Sequence, residues 1–149
     1  MSGGSALFEH SPWFEERADA RPSSGDRWTD LMTVVEEASP EEQLALIQAH
    51  PELAGKAAMD RTLTDASAAE QASAGLDRLT PDEYARFHAL NAAYRARFGF
   101  PFIICVRLTD KAGILAAMEA RLANDRETEI AAALEQIGEI VRLRLEDMA

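Results

Sequence analysis

The sequence predicts an all-α protein: a single-domain bundle of about six to eight helices spanning residues 1–149, with one short extended segment near 100–106. Three observations carry this. Alanine, the best helix former, is abundant, while glycine and proline are sparse. Apolar residues recur at helical spacing behind repeated capping signals. One apolar run, FPFIICV at 100–106, is too short for a helix and contains Pro101, so it reads as extended and buried.

Taken in order, residues 1–6 are small and polar, a composition compatible with disorder. Ser11 before Pro12 is a helix-start signal, with Ser as N-cap and Pro at the first helical position. ARPSSG at 20–25 reads as a loop. Trp28, Leu31, Met32 and Val35 form one stripe over 26–37. Ser39-Pro40-Glu41-Glu42 is a capping box that opens the next helix, which stops near His50-Pro51 because the residue before a proline disfavours helical geometry. Residues 51–66 look less regular.

Ser67 and Glu70 match a second capping box, opening a short helix that ends near Gly75. Thr80-Pro81-Asp82-Glu83 opens a longer helix striped by Tyr84, Phe87, Asn91, Tyr94 and Phe98 and stopped by Gly99. After the extended run, a helix from about Asp110 to Asn124 carries Ile114, Leu115, Met118 and Leu122 on one face. The last helix follows Asp125 and runs to about Met148, with a stripe of Ile130, Leu134, Ile137, Val141 and Met148.

The chain has 149 residues, 47% of them hydrophobic and 28% charged, which is enough for one real core. The net charge of -11 argues against nucleic acid and against an anionic membrane as partners. An anionic substrate would need local positive groups to overcome that field. Cys105 is the single cysteine, which fits a reducing, cytoplasmic setting. MSGGSALFEH lacks the pattern of a secretory leader, no apolar run approaches the roughly 20 residues of a membrane helix, and EDMA is not a peroxisomal tripeptide.

Of the three histidines, only His50 sits at an expected helix end. Imidazole moves protons near neutral pH, but a helix-end histidine also serves as a C-cap, and spacing alone favours the cap. His10 and His88 read as structural. No Cys/His cluster has metal-ligand spacing and no glycine-rich phosphate loop is present, so no metal site is expected. Cys105 lies in an apolar run, where a thiol is normally inert.

Glu70 reads either as the return partner of the Ser67 capping box, which spacing favours, or as a carboxylate facing a ligand, with Gln71 beside it as donor and acceptor. Arg144 falls on the apolar face of the last helix while Arg142 points away. Its guanidinium must be paired or must snorkel out, and near a terminus snorkelling is favoured. An extended segment in a helical protein leaves backbone groups that need partners, either other protein groups or a planar, amide-rich ligand.

Six strings then converge: FEHSPW at 8–13, HPELAGK at 50–56, SAAEQASAGLD at 67–77, LNAAYRARFGFPFIICV at 90–106, RLANDRETEI at 121–130 and RLRL at 142–145. Each alone is weak, but six in order with compatible spacing are specific. Together, from Phe8 to Met148, they resemble the decarboxylases of 2-oxo-4-hydroxy-4-carboxy-5-ureidoimidazoline (OHCU). The resemblance implies an all-α fold, no metal or organic cofactor, a homodimer, and formation of (S)-allantoin and CO2 at the end of urate breakdown. It implies His50 as the catalytic histidine with Glu70 beside it. Pro51, Ser67, Glu70, Gln71, Phe102, Ile103, Ile104, Val106 and Arg144 would bind a small ureidoimidazoline. It therefore reverses the balance at His50, Glu70 and Arg144.

A non-catalytic helical binding module and a ureide hydrolase on the same fold are the alternatives. The joint presence of His50, Glu70, Gln71 and Arg144 speaks against the first, and the lack of a metal motif lowers the second.

Overall fold

Capping residues decide where most helices begin. The computed structural model describes residues 7–8, 11–54 and 63–148. The expectations for residues 1–6 and for His10, and the stretch 55–62 that includes Gly55 and Lys56, lie outside the described residues. Seven α-helices are present among them: α1 (Trp13–Asp19), α2 (Arg27–Glu37), α3 (Pro40–Gln48), α4 (Asp65–Ser73), α5 (Pro81–Phe98), α6 (Lys111–Arg121) and α7 (Arg126–Met148). No strand occurs among these residues, so the expected all-α class holds.

The capping boxes expected at Ser39 and Thr80 both form, each with its proline in the first turn. Asp26 and Asp110 cap α2 and α6 by accepting from Thr29 N–H and Gly113 N–H. Gly99 ends α5 at φ 82°, a left-handed conformation that an L side chain resists.

Three local readings are corrected. The helix start at Ser11 moves on by one residue: Pro12, not Ser11, occupies the capping place of α1. The capping box at Ser67 does not form. Thr64 is the N-cap of α4 and accepts from the Ser67 N–H, so the helix starts a turn earlier and Ser67 lies inside it. Met148, expected on the buried stripe of the last helix, is 57% exposed, because the stripe outruns the core at the helix end.

The core draws on six of the seven helices: Phe14, Leu31, Leu46, Ile47, Phe87, Tyr94, Ile114, Met118, Ile137 and Val141 are essentially inaccessible, and Ala74, just after α4, joins them. Helix α2 lies close on α7 because Gly138 has no side chain. A Cβ there would meet Met32 Cε at 3.0 Å, and the Gly138 carbonyl accepts from Trp28 Nε1 at 2.9 Å.

The run at 100–106 departs from helix as expected. Phe100, Phe102, Ile103, Cys105 and Val106 are buried, and Val106 opens a short 3-10 turn, Val106–Leu108. Phe98, Phe100 and Phe102 all pack on Tyr94, with ring centroids 4.6, 5.9 and 5.3 Å away. This aromatic stack anchors the segment beside α5. Among the described residues, no helix is long and apolar enough to cross a membrane.

Candidate active site

The end of α3, the inner face of α4, the extended segment and the end of α7 line one small cavity that opens to the surface. His50, Pro51, Ser67, Glu70, Gln71, Phe102, Ile103, Ile104, Val106 and Arg144 all stand on its wall, so the structure brings together every site residue expected from the sequence.

His50 follows the last turn of α3, and its backbone N–H donates to the Ile47 carbonyl at 3.2 Å. The residue is buried, with its side chain on the cavity wall. The turn after it is pinned by α4 and α5. Gln71 Oε1 accepts from the Ala54 N–H at 3.0 Å, and Asn91 Nδ2 donates to the Leu53 carbonyl at 2.8 Å. These anchors hold Ala54 at φ 53°, an uncommon conformation for a residue with a side chain. Gln71 therefore supports the His50 turn as well as lining the cavity.

Arg144 does not snorkel, which corrects the reading favoured by spacing. It is 5% exposed and forks onto Glu70, with Nε–Oε2 and Nη2–Oε1 both at 2.7 Å. The Ser67 hydroxyl accepts from Arg144 Nη2 at 3.4 Å. The reading of Glu70 as a capping partner is likewise overturned, since both of its oxygens serve the guanidinium. A bidentate, charge-assisted pair of this kind is strong and directional. It presents the cavity with a near-neutral but very polar unit, and each Glu70 oxygen keeps a further lone pair for a ligand N–H. Arg142 points away and pairs with Glu139 and Glu146, as the helical wheel predicts.

Leu53, Cys105, Arg107 and Ile140 also line the cavity but were not singled out by sequence as site residues. Arg107 pairs with Asp147 at 2.7 Å. Burial pushes the Cys105 thiol up from its ordinary value, which disfavours the nucleophilic thiolate. His88 lies on the surface, stacked on Tyr84 with centroids 6.1 Å apart. Among the described residues, no group of three or more His, Cys, Asp or Glu could hold a metal ion.

A helical fold with a histidine, a buried Arg–carboxylate pair and an extended backbone edge around one small cavity defines a protein built to hold a compact polar molecule. The chain belongs to the OHCU decarboxylase family, whose model matches residues 5–146. It is 47% identical over 142 residues to the 2-oxo-4-hydroxy-4-carboxy-5-ureidoimidazoline decarboxylase of Haloferax volcanii, covering 93% of this chain and 82% of that protein. It is 44% identical over 146 residues to the uric acid degradation bifunctional protein PucL of Bacillus subtilis, covering 96% of this chain and 29% of that one. Among solved structures, a crystal structure of (S)-allantoin synthase superposes with a TM-score of 0.72 at 30% identity, covering 98% of this chain and 48% of that one. An OHCU decarboxylase crystallised in the presence of (S)-allantoin gives a TM-score of 0.78 at 19% identity, covering 98% of this chain and 96% of the other, and so shares its fold.

Proposed function

We propose that this protein decarboxylates 2-oxo-4-hydroxy-4-carboxy-5-ureidoimidazoline to (S)-allantoin and CO2 in urate degradation, with His50 assisting decarboxylation and directing the stereospecific protonation. The observation that carries the reading is the convergence of His50, Ser67, Glu70, Gln71, residues 102–106 and Arg144 on one cavity, from four separate parts of the chain.

The chemistry suits such a site. The carboxylate leaves from the carbon that also bears the hydroxyl. The electron pair of the broken bond moves into the neighbouring imine, so the substrate is its own electron sink. The hydroxyl carbon then becomes the ring carbonyl as its proton departs, the imine nitrogen takes up one proton, and a second proton arrives at the ureido carbon, which becomes the stereocentre. The protein's tasks are to orient the ring, stabilise the developing charge and offer that proton on a single face.

In this reading His50 relays the proton. Glu70 accepts from ring or ureido N–H groups while Arg144 fixes it in place. Ser67, Gln71 and the 102–106 backbone complete the polar lining, and Pro51 with the side chains of Phe102, Ile103, Ile104 and Val106 the apolar one. Arg144 orients Glu70 more than it adds net positive charge, because the carboxylate matches it. The proposal includes a single functional domain, a homodimer and a cytoplasmic setting, the second of which light scattering of the purified protein would read directly.

The deciding assay is OHCU generated freshly from urate and followed by circular dichroism. The expected result is faster appearance of the allantoin signal with one enantiomer in excess. A signal no faster than in buffer, and racemic, would remove the assignment.

A further inference from the structure

Among the described residues, the extended segment is braced along one edge. Arg121 Nη1 donates to the Ile103 carbonyl at 2.8 Å, and the Cys105 N–H donates to Gln136 Oε1 at 2.9 Å. In extended chain, the backbone groups of alternate residues point to the same side and those of the residue between them point to the other. Ile103 and Cys105 thus spend polar groups on α6 and α7, while Ile104 turns its N–H and C=O away from that brace. Ile104 lines the cavity, and among the described residues neither of those two groups makes a hydrogen bond.

Arg121 is itself fixed. Its Nε bonds Glu129 Oε1 at 2.8 Å, and its guanidinium lies 4.4 Å from the Phe102 ring centroid. Glu129 is wholly buried and also accepts from the Tyr94 hydroxyl at 2.6 Å and from Asn124 Nδ2 at 2.8 Å. A carboxylate so placed is costly unless it is fully hydrogen-bonded, and three donors satisfy it. The result is a stiff polar post, built from α5, α6 and α7, on which the segment rests.

We infer that Arg121 and Gln136 are positioning residues: they set the register of residues 102–106 so that the Ile104 amide and carbonyl meet the adjacent C=O and N–H groups of a cyclic ureide. The inference rests on the decarboxylase reading above and adds what selects the ureide ring. A donor and an acceptor on one residue match a ring edge that presents both. They discriminate against a ring that lacks either, because a buried group would be left unpaired.

The test uses two substitutions that separate packing from hydrogen bonding. Gln136→Met keeps length and bulk but removes the acceptor, and Gln136→Glu keeps an acceptor. With OHCU as substrate, Gln136→Met is expected to lose roughly tenfold to a hundredfold in kcat/KM, the scale of a small misplacement. Its allantoin should show a reduced enantiomeric excess while its melting temperature stays within a few degrees of the parent. Gln136→Glu should recover most of both. Wild-type kcat/KM and enantiomeric excess in Gln136→Met would overturn the inference, as would equal losses in the two variants.

A second readout does not depend on turnover. In the free protein, Gln136→Met should speed hydrogen exchange at the Cys105 amide at least tenfold, and unchanged exchange would overturn the brace. If the parent enzyme makes no allantoin, the decarboxylase reading falls, while the exchange result still decides whether the brace exists.

Discussion

His50 stands where the helix cannot continue, because Pro51 follows it, and its burial comes from a turn held by Gln71 and Asn91. Replacing it with Ala should remove the directed proton. We expect a rate loss of about 10²–10⁴-fold and an allantoin product with little enantiomeric excess, read as the circular dichroism of the product. Full enantiomeric excess at an unchanged rate would dismiss His50 as the relay.

Arg144 and Glu70 make a different prediction. Their side chains are 5% and 14% exposed, so Arg144→Met leaves a carboxylate without its counter-ion in a mostly buried site. The expected loss is about 3–5 kcal/mol in urea unfolding. The double change Arg144→Met with Glu70→Gln should regain part of that stability but none of the activity. At this scale the sequence named residues that the fold brings onto one cavity, while spacing alone favoured other duties for Glu70 and Arg144. Spacing cannot tell that a guanidinium near a helix terminus will find a carboxylate 74 positions earlier in the chain.

Among the elements, the helices were legible because their start signals are local. The Ser39 and Thr80 boxes act within four residues, and each forms as written. Helix α4 was misjudged because two cap-type residues compete. Thr64 lacks a Glu or Gln three places on, so Ser67 with Glu70 looked the stronger start, yet the tertiary pull of Arg144 on Glu70 and the burial of Ser67 favour the earlier one.

Gly99 offers the element-scale prediction. It ends α5 and leads into the extended segment at φ 82°, with nothing within 4 Å of where a Cβ would sit. Gly99→Ala should therefore cost only the backbone term, about 1–2 kcal/mol, seen as a lower urea midpoint with an unchanged slope. A larger loss would mean that the turn has a packing duty as well.

Over the whole molecule, a net charge of -11 sets the field, and one buried acid adds a pH dependence to stability. Burial pushes the Glu15 carboxyl up from 4.5 to about 7, against the Arg27 charge and with help from Asp19 and Glu16. Below the unfolded value Glu15 is neutral in both states. Between the two values the unfolded chain ionises while the folded one keeps its proton, so the contribution of Glu15 to stability declines as pH rises and levels off above about 7. Glu15→Gln should match the parent near pH 4 and exceed it by about 1–3 kcal/mol at pH 8 in urea titrations. Equal stability of the two proteins at pH 8 would rule out this penalty.

By itself the sequence determined the helical class, most helix boundaries, the apolar stripes and, through six ordered motifs, the family and its candidate site. These depend on interactions within a turn or two, or on strings that can be read directly. Only the tertiary structure decided that Arg144 forks onto Glu70, that Gln71 and Asn91 hold the His50 turn, and that Arg121 and Gln136 carry the segment at 100–106. Each joins residues far apart in the chain, and which buried donor meets which acceptor is settled by packing, where an unpaired polar group costs more than the bond between partners contributes.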